Sequence, residues 1–264
     1  MKVLIMTDLE GVAGVVSFED QTGPESRYYE AAKKLLTAEV NAAVDGLVQS
    51  GVEEVLVIDG HGAGGIQFED LHPAARLFHG RPWAPWARLT EIFKTYDACM
   101  MIGQHAMAGV PTSNLNHTQS SETVDYYQLN GRKIGEMAQF ALFCGALGVP
   151  MIFLSGEEDA CREAQTFIPD IVTASVKQGL SRSSAISLSA PEARRRITAG
   201  VKQAIERHRN HPIPPLVWEG PYVLEVRYFS TSVADARAAR PGAERVDPQT
   251  VRFYGKSVID IIFS

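Results

Sequence analysis

Apolar residues fall in short blocks through the first two thirds of the chain, and the blocks alternate between two periods. Val3–Thr7 is a compact apolar run of the kind that forms a buried strand. Across Glu25–Ser50 the apolar positions recur at helical spacing (Ala31, Leu35, Leu36, Val40, Ala43, Val44, Leu47, Val48), and Gly51 follows where a helix needs a left-handed stop. Val52–Asp59 predicts a second strand and Ala75–His79 a short third one, with a helical stretch near Trp86–Thr95. Ala98–Gly103 predicts another buried strand. Asn130-Gly131 between alternating residues signals a tight hairpin. Gly135–Gly148 reads as helix, Met151–Leu154 as strand and Glu158–Phe167 as helix. Buried strands joined by helical crossovers imply an α/β fold, a mostly parallel sheet covered by helices on both faces.

The pattern changes after about Ile171. "TASVKQGLSRSSAISLS" is polar and reads as irregular, Pro191–His208 as a charged helix, "HPIPPL" as a linker and "YVLEVRYF" as an alternating strand. These features predict a catalytic α/β unit over residues 1–170 and a smaller C-terminal α+β lobe over 171–264.

A chain of 264 residues is long enough to bury a large core without disulfides. A net charge of −6 argues against nucleic-acid partners held by phosphate contacts. Cys99, Cys144 and Cys161 form no C-x-x-C pair and read as buried thiols of a reducing compartment. The opening apolar run stops at Asp8, short of a signal peptide, and no run approaches the ~18 residues of a membrane span. A cytoplasmic protein without membrane partners is expected.

Ligands in open parallel sheets bind beyond the carboxyl ends of the strands. Three predicted strands end there in metal-capable side chains: Asp8 and Glu10, then His61 in Asp59-Gly60-His61, then His105 in Gly103-Gln104-His105. Residues i and i+2 of an extended segment point the same way, so Asp8 and Glu10 can converge on one cation or on two neighbours. Two carboxylates at a strand end are costly to desolvate unless something positive meets them. Carboxylate oxygen mixed with imidazole nitrogen suits zinc, manganese or cobalt. Glu136, at a predicted helix start, is a further candidate ligand, though alone it reads as a charge favoured by the helix dipole. His117 lies in a polar loop, where it could act as base, acid or nucleophile. His72, His79, His208 and His211 have no such context and read as structural or surface residues.

Taken in order, these elements resemble the zinc-dependent D-aminopeptidase family of the DppA type. The family opens with S-x-D-x-E-G, and this chain has Thr7-Asp8-Leu9-Glu10-Gly11. A D-x-H element matches Asp59-Gly60-His61, and a G-x-H-A element matches Gly103-Gln104-His105-Ala106. The hairpin with its following G-E matches Asn130-Gly131 and Gly135-Glu136, and "AAVKQ…SRS…A" matches residues 173–190. Around His117 the family has S-H-S, whereas this chain has Asn116-His117-Thr118. The likeness runs to about residue 197 and weakens beyond. It implies two zinc ions per subunit, with Asp8, Glu10, His61, His105 and Glu136 as ligands, Asp8 bridging, and His117 as the catalytic residue. It further implies removal of N-terminal D-amino acids from short peptides, and a homo-oligomer such as a decameric ring.

Three other readings compete. A haloacid-dehalogenase-like, magnesium-dependent phosphatase also opens on a strand ending in paired acids, and "GEED" at 156–159 imitates its late acidic motif. A nucleotide-binding module could use the "DGHGAGG" loop, although this lacks the phosphate-binding lysine. A peptide-binding relative that has lost turnover would keep the same fold.

Overall fold

The structure is a computed structural model describing residues 1–264. The elements run in the order β1 (Lys2–Thr7), α1 (Phe18–Gln21), α2 (Tyr29–Gln49), β2 (Glu54–Ile58), β3 (Ala75–Phe78), α3 (Trp86–Phe93) and β4 (Ala98–Gln104). Next come β5 (Val124–Leu129), β6 (Arg132–Ile134), α4 (Glu136–Ala146), β7 (Met151–Glu157), α5 (Glu158–Phe167), β8 (Val172–Ser181) and β9 (Ser184–Ser187). The last are α6 (Ala190–Asn210), β10 (Tyr222–Tyr228), α7 (Thr231–Ala238), β11 (Ala243–Asp247) and β12 (Thr250–Gly255).

Seven strands form the main sheet in the order β3-β2-β1-β4-β7-β8-β9, all parallel except β9. The apolar runs explain its centre. Strands β1, β4 and β7 are almost wholly buried, as strands covered on both faces must be. Helices α2 and α6 pack on each other against one side; α4 and α5 pack together against β4, β7 and β8. The chain builds outward from β1 through β2 to β3, then returns to place β4 on the other flank of β1. The order therefore reverses between β1 and β4, and a crevice opens beyond their carboxyl ends. No helix is long and apolar enough to cross a membrane.

A second, antiparallel sheet has the order β11-β12-β10-β5-β6. Asn130 and Gly131 adopt left-handed φ values of 48° and 80°, as the predicted hairpin requires.

One sequence expectation changes. Residues 172–187 are not irregular: β8 takes its backbone partners from β7 and then pairs with β9. Val172, Ala174 and Val176 of β8 face inward in alternation, but Lys177 is buried and Leu180 exposed, which breaks the hydrophobic pattern. Sheet membership does not follow the order of the chain. Residues 172–210 belong to the main sheet and its helical cover, while the 124–134 hairpin joins the second sheet through β10. Pairing between distant segments, which local pattern does not encode, draws that line.

Candidate metal centre

Asp8 and Glu10 leave the end of β1 with 7% and 3% exposure, too buried to be solvated by water alone. The Asp8 N–H donates to Ile102 O at 2.9 Å and the Gly11 N–H to Gly103 O at 2.7 Å, so the β1 tip is laced to the β4 tip. A Cβ at Gly11 would lie 2.0 Å from Gln104 O, which is why glycine is needed there. On the other flank, the Thr7 hydroxyl donates to Ile58 O at 3.2 Å and accepts from the Gly60 N–H at 3.3 Å. The Thr in the family's Ser position keeps this link.

The three strand tips bring their side chains together. His61 Nδ1 lies 3.3 Å from Asp8 Oδ1 and 3.0 Å from Glu10 Oε2. His105 Nε2 lies 3.1 Å from Asp8 Oδ2 and 3.6 Å from Glu136 Oε1. His117 Nε2 lies 3.7 Å from the same Glu136 oxygen, and its ring stacks on His105 with centroids 4.0 Å apart. Two trios result, Asp8–Glu10–His105 and His105–His117–Glu136, each with ligand atoms within 4.8 Å of one another. They share His105.

The outer nitrogens fix the tautomers. His105 Nδ1 faces Ala106 O at 2.8 Å, His117 Nδ1 faces Leu115 O at 3.0 Å and His61 Nε2 faces Thr22 O at 2.8 Å. A ring nitrogen facing a carbonyl carries the proton, so each opposite nitrogen is left to face the cluster. Asp8 Oδ2, Glu10 Oε2 and His105 Nε2 are buried without a hydrogen-bond partner despite their short separations. Converging, orphaned donor atoms of this chemistry fit a divalent metal.

Electrostatics agree. Burial works to raise the Asp8 carboxyl, but the His105 and His61 imidazoles outweigh it and hold the group well below the usual carboxylate range. Burial works to lower both histidines, but Glu10 and Asp8 raise His61, and Asp8 and Glu136 raise His105. The buried acids call for positive charge beside them.

The loop carrying His117 is held on both sides. Asn116 Oδ1 accepts from the Gly109 N–H at 3.2 Å and Thr118 Oγ1 from the Ala108 N–H at 3.1 Å, so both residues that differ from the family pattern pin the loop. Leu115 and Gln119 have φ values of 57° and 64°, uncommon for residues with a Cβ. The turn at Gln119 aims its N–H at Glu136 Oε1, 2.7 Å away.

Several contributors carry no sequence signal of their own. Lys177, on β8, is 1% exposed and donates to the carbonyls of Glu10 and Val15, fixing the loop beyond β1. Burial pulls its pKa down to about 8. Glu163, on α5, accepts from the Met107 N–H at 2.8 Å and also faces the Gly135 N–H, so one carboxylate joins the segments bearing His105 and Glu136. The lysine lies inside the "VKQ" element, the only hint available for either. Phe18 meets His117 edge-on at 5.5 Å, and Trp83, Trp86 and Phe263 wall a cavity of about 890 Å³ over the site.

The competing sequence motifs have other duties. Glu157 of "GEED" accepts from the Ser113 hydroxyl at 2.8 Å and from the Asp159 and Gly179 N–H groups, both at 3.0 Å. The "DGHGAGG" loop wraps its own acid, with Asp59 accepting from the Gly65 N–H at 2.8 Å and the Ile66 N–H at 3.4 Å, so those amides are closed to phosphate.

A doubly wound α/β sheet with clustered acids and imidazoles at its switch point defines a metallohydrolase-like class of site. The chain belongs to the Peptidase M55 family, D-aminopeptidase, whose pattern it matches over residues 1–263. It is 30% identical over 264 residues to the D-aminopeptidase of Bacillus subtilis (strain 168), covering 98% of this chain and 93% of that one. A solved structure, the Zn-dependent D-aminopeptidase DppA from Bacillus subtilis, described as a self-compartmentalizing protease, superposes with a TM-score of 0.90 at 29% identity. The superposition covers 99% of this chain and 94% of that one. The mostly parallel sheet, the family and the peptidase class all agree with the sequence expectation; neither the phosphatase nor the nucleotide-binding reading is favoured.

Proposed function

We propose that this protein is a zinc aminopeptidase that removes N-terminal D-amino acids from short peptides, with two ions per subunit. The carrying observation is the convergence of Asp8, Glu10, His61, His105 and Glu136 at the strand tips, with buried Asp8, Glu10 and His105 atoms that have no other partner. Asp8, Glu10, His61, His105 and Glu136 would hold the metals. A bound pair of this kind supplies Lewis acidity and a more acidic water.

The chain's own groups do the rest. His117 Nε2 faces the cluster while Leu115 O holds its Nδ1 proton, so the imidazole can take a proton at Nε2 and return it to the departing amine. Gln119 anchors Glu136, which keeps His117 oriented. Phe18 and the tryptophan wall give the approach to the cluster an apolar lining. A self-compartmentalizing assembly like that of DppA would restrict entry to short chains, and a decameric ring is the form we propose.

The test is elemental analysis of protein purified without chelators, followed by assay on matched D- and L-aminoacyl peptides. Zinc near two per chain with selective D-peptide cleavage is expected. Metal-free protein that cleaves neither series would overturn the reading, and metal-loaded protein that only binds the peptides would favour an inactive relative.

A further inference from the structure

The cavity over the metal centre is acidic, and one permanent cation lines it. Arg81 is the only arginine or lysine among its lining residues, which also include Glu19 and Glu122 in addition to the cluster itself. All four of its hydrogen bonds go to backbone carbonyls: Gly80 O at 3.2 Å through Nη1, and Asp59 O, Gly60 O and His61 O at 2.9, 3.2 and 3.4 Å through Nη2. The nearest acidic side chain in charge terms, Asp59, is turned to the N–H groups of its own loop. The guanidinium thus has no carboxylate partner. It also lies over the Trp83 ring, 4.8 Å from the centroid, which fixes its plane.

Arg81 is close to the reacting centre by construction. His61 offers its carbonyl to Arg81 and its Nδ1 to Asp8 and Glu10, so a single residue spans the gap between guanidinium and cluster. In a dipeptide the terminal carboxylate lies one residue, roughly 3.5 Å of chain, beyond the scissile amide. A planar, always-charged group on the wall of the same cavity, with only His61 between it and the cluster, suits a carboxylate. We infer that Arg81 is a specificity subsite that binds the free α-carboxylate of a di- or tripeptide, with the Trp83–Trp86–Phe263 wall receiving the leaving residue's side chain. This rests on the peptidase reading and narrows it: the substrate is recognised from its carboxyl end as well as its amino end.

The experiment compares a D-alanyl dipeptide free acid with its C-terminal amide. The wild-type protein is expected to favour the acid at least tenfold in kcat/KM, chiefly through KM. The Arg81→Gln variant is expected to bring the two within about twofold, and Arg81→Lys to keep part of the preference. Equal use of acid and amide by the wild type, or a preference that persists in Arg81→Gln, would overturn the subsite while leaving the peptidase reading intact. Should the variant not fold, the wild-type ratio still decides. Cleavage of neither peptide would remove both readings together.

Discussion

Asp8 touches both histidines that close the site, through different oxygens. Its place between His61 and His105 makes it the geometric hinge of the cluster, and the loss of any neighbour leaves a buried charge uncompensated. Glu10→Gln removes one charge while keeping the shape. It is expected to weaken metal binding by more than the roughly 10–100-fold that loss of an outer partner costs, read by titration of the apoprotein, with the circular dichroism spectrum unchanged. His117→Ala should behave differently. It is expected to keep bound metal and lower kcat by about 10²–10⁴-fold, the usual worth of a positioned acid–base group. A full hydrolytic rate in that variant would remove His117 from the chemistry.

At the scale of elements, the site depends on how closely three strand ends approach. The β1 tip is tied to β4 by backbone hydrogen bonds and to β2 through the Thr7 hydroxyl, and glycine permits the contact at β1 and β4. Gly11→Ala forces a methyl onto Gln104 O. It is expected to cost about 3 kcal/mol, the upper range for overpacking, seen as a lower midpoint in denaturant titration together with weaker metal binding. Helix α5 and strand β8 act from behind through Glu163 and Lys177, and the C-terminal segment acts from the side. There the Gln139 side chain donates to Ile262 O at 2.9 Å, and Phe263 stacks on Trp86 with centroids 4.8 Å apart.

For the whole molecule, buried ionisable groups around the centre shape the response to pH. Glu39, on α2, is 3% exposed and accepts from the Ala13 N–H at 3.0 Å, and burial raises its pKa to about 8. Between about 4.5, its ordinary value, and about 8, the folded state therefore holds a proton that the unfolded chain has released. The contribution of Glu39 to stability falls as pH rises through that window, by up to about 1.4 kcal/mol per pH unit. Glu39→Gln is expected to flatten this slope, measured by denaturant unfolding at a series of pH values. Light scattering should give a mass several times that of one chain if the assembly proposed above forms; a monomer at working concentration would remove the ring.

What the sequence alone determined lies within reach of local physics. Short apolar runs with helical crossovers specify buried parallel strands, Asn130-Gly131 specifies its turn, and alternation along an extended backbone sends Asp8 and Glu10 the same way. Reading each strand's final residues also singled out His61 and His105, a helix start and a polar loop offered Glu136 and His117, and the ordered likeness suggested their roles. Only the tertiary structure decided which tips are neighbours, because β1 and β4 meet through a reversal of strand order that no local pattern records. It also made strands of residues 172–187, by pairing β8 with β7 and β9 with β8, and brought Lys177, Glu163, Arg81 and Phe263 to a site far from them in the chain. Their contacts are long-range and mostly to backbone carbonyls and amides, groups every residue carries, so composition gives no sign of them.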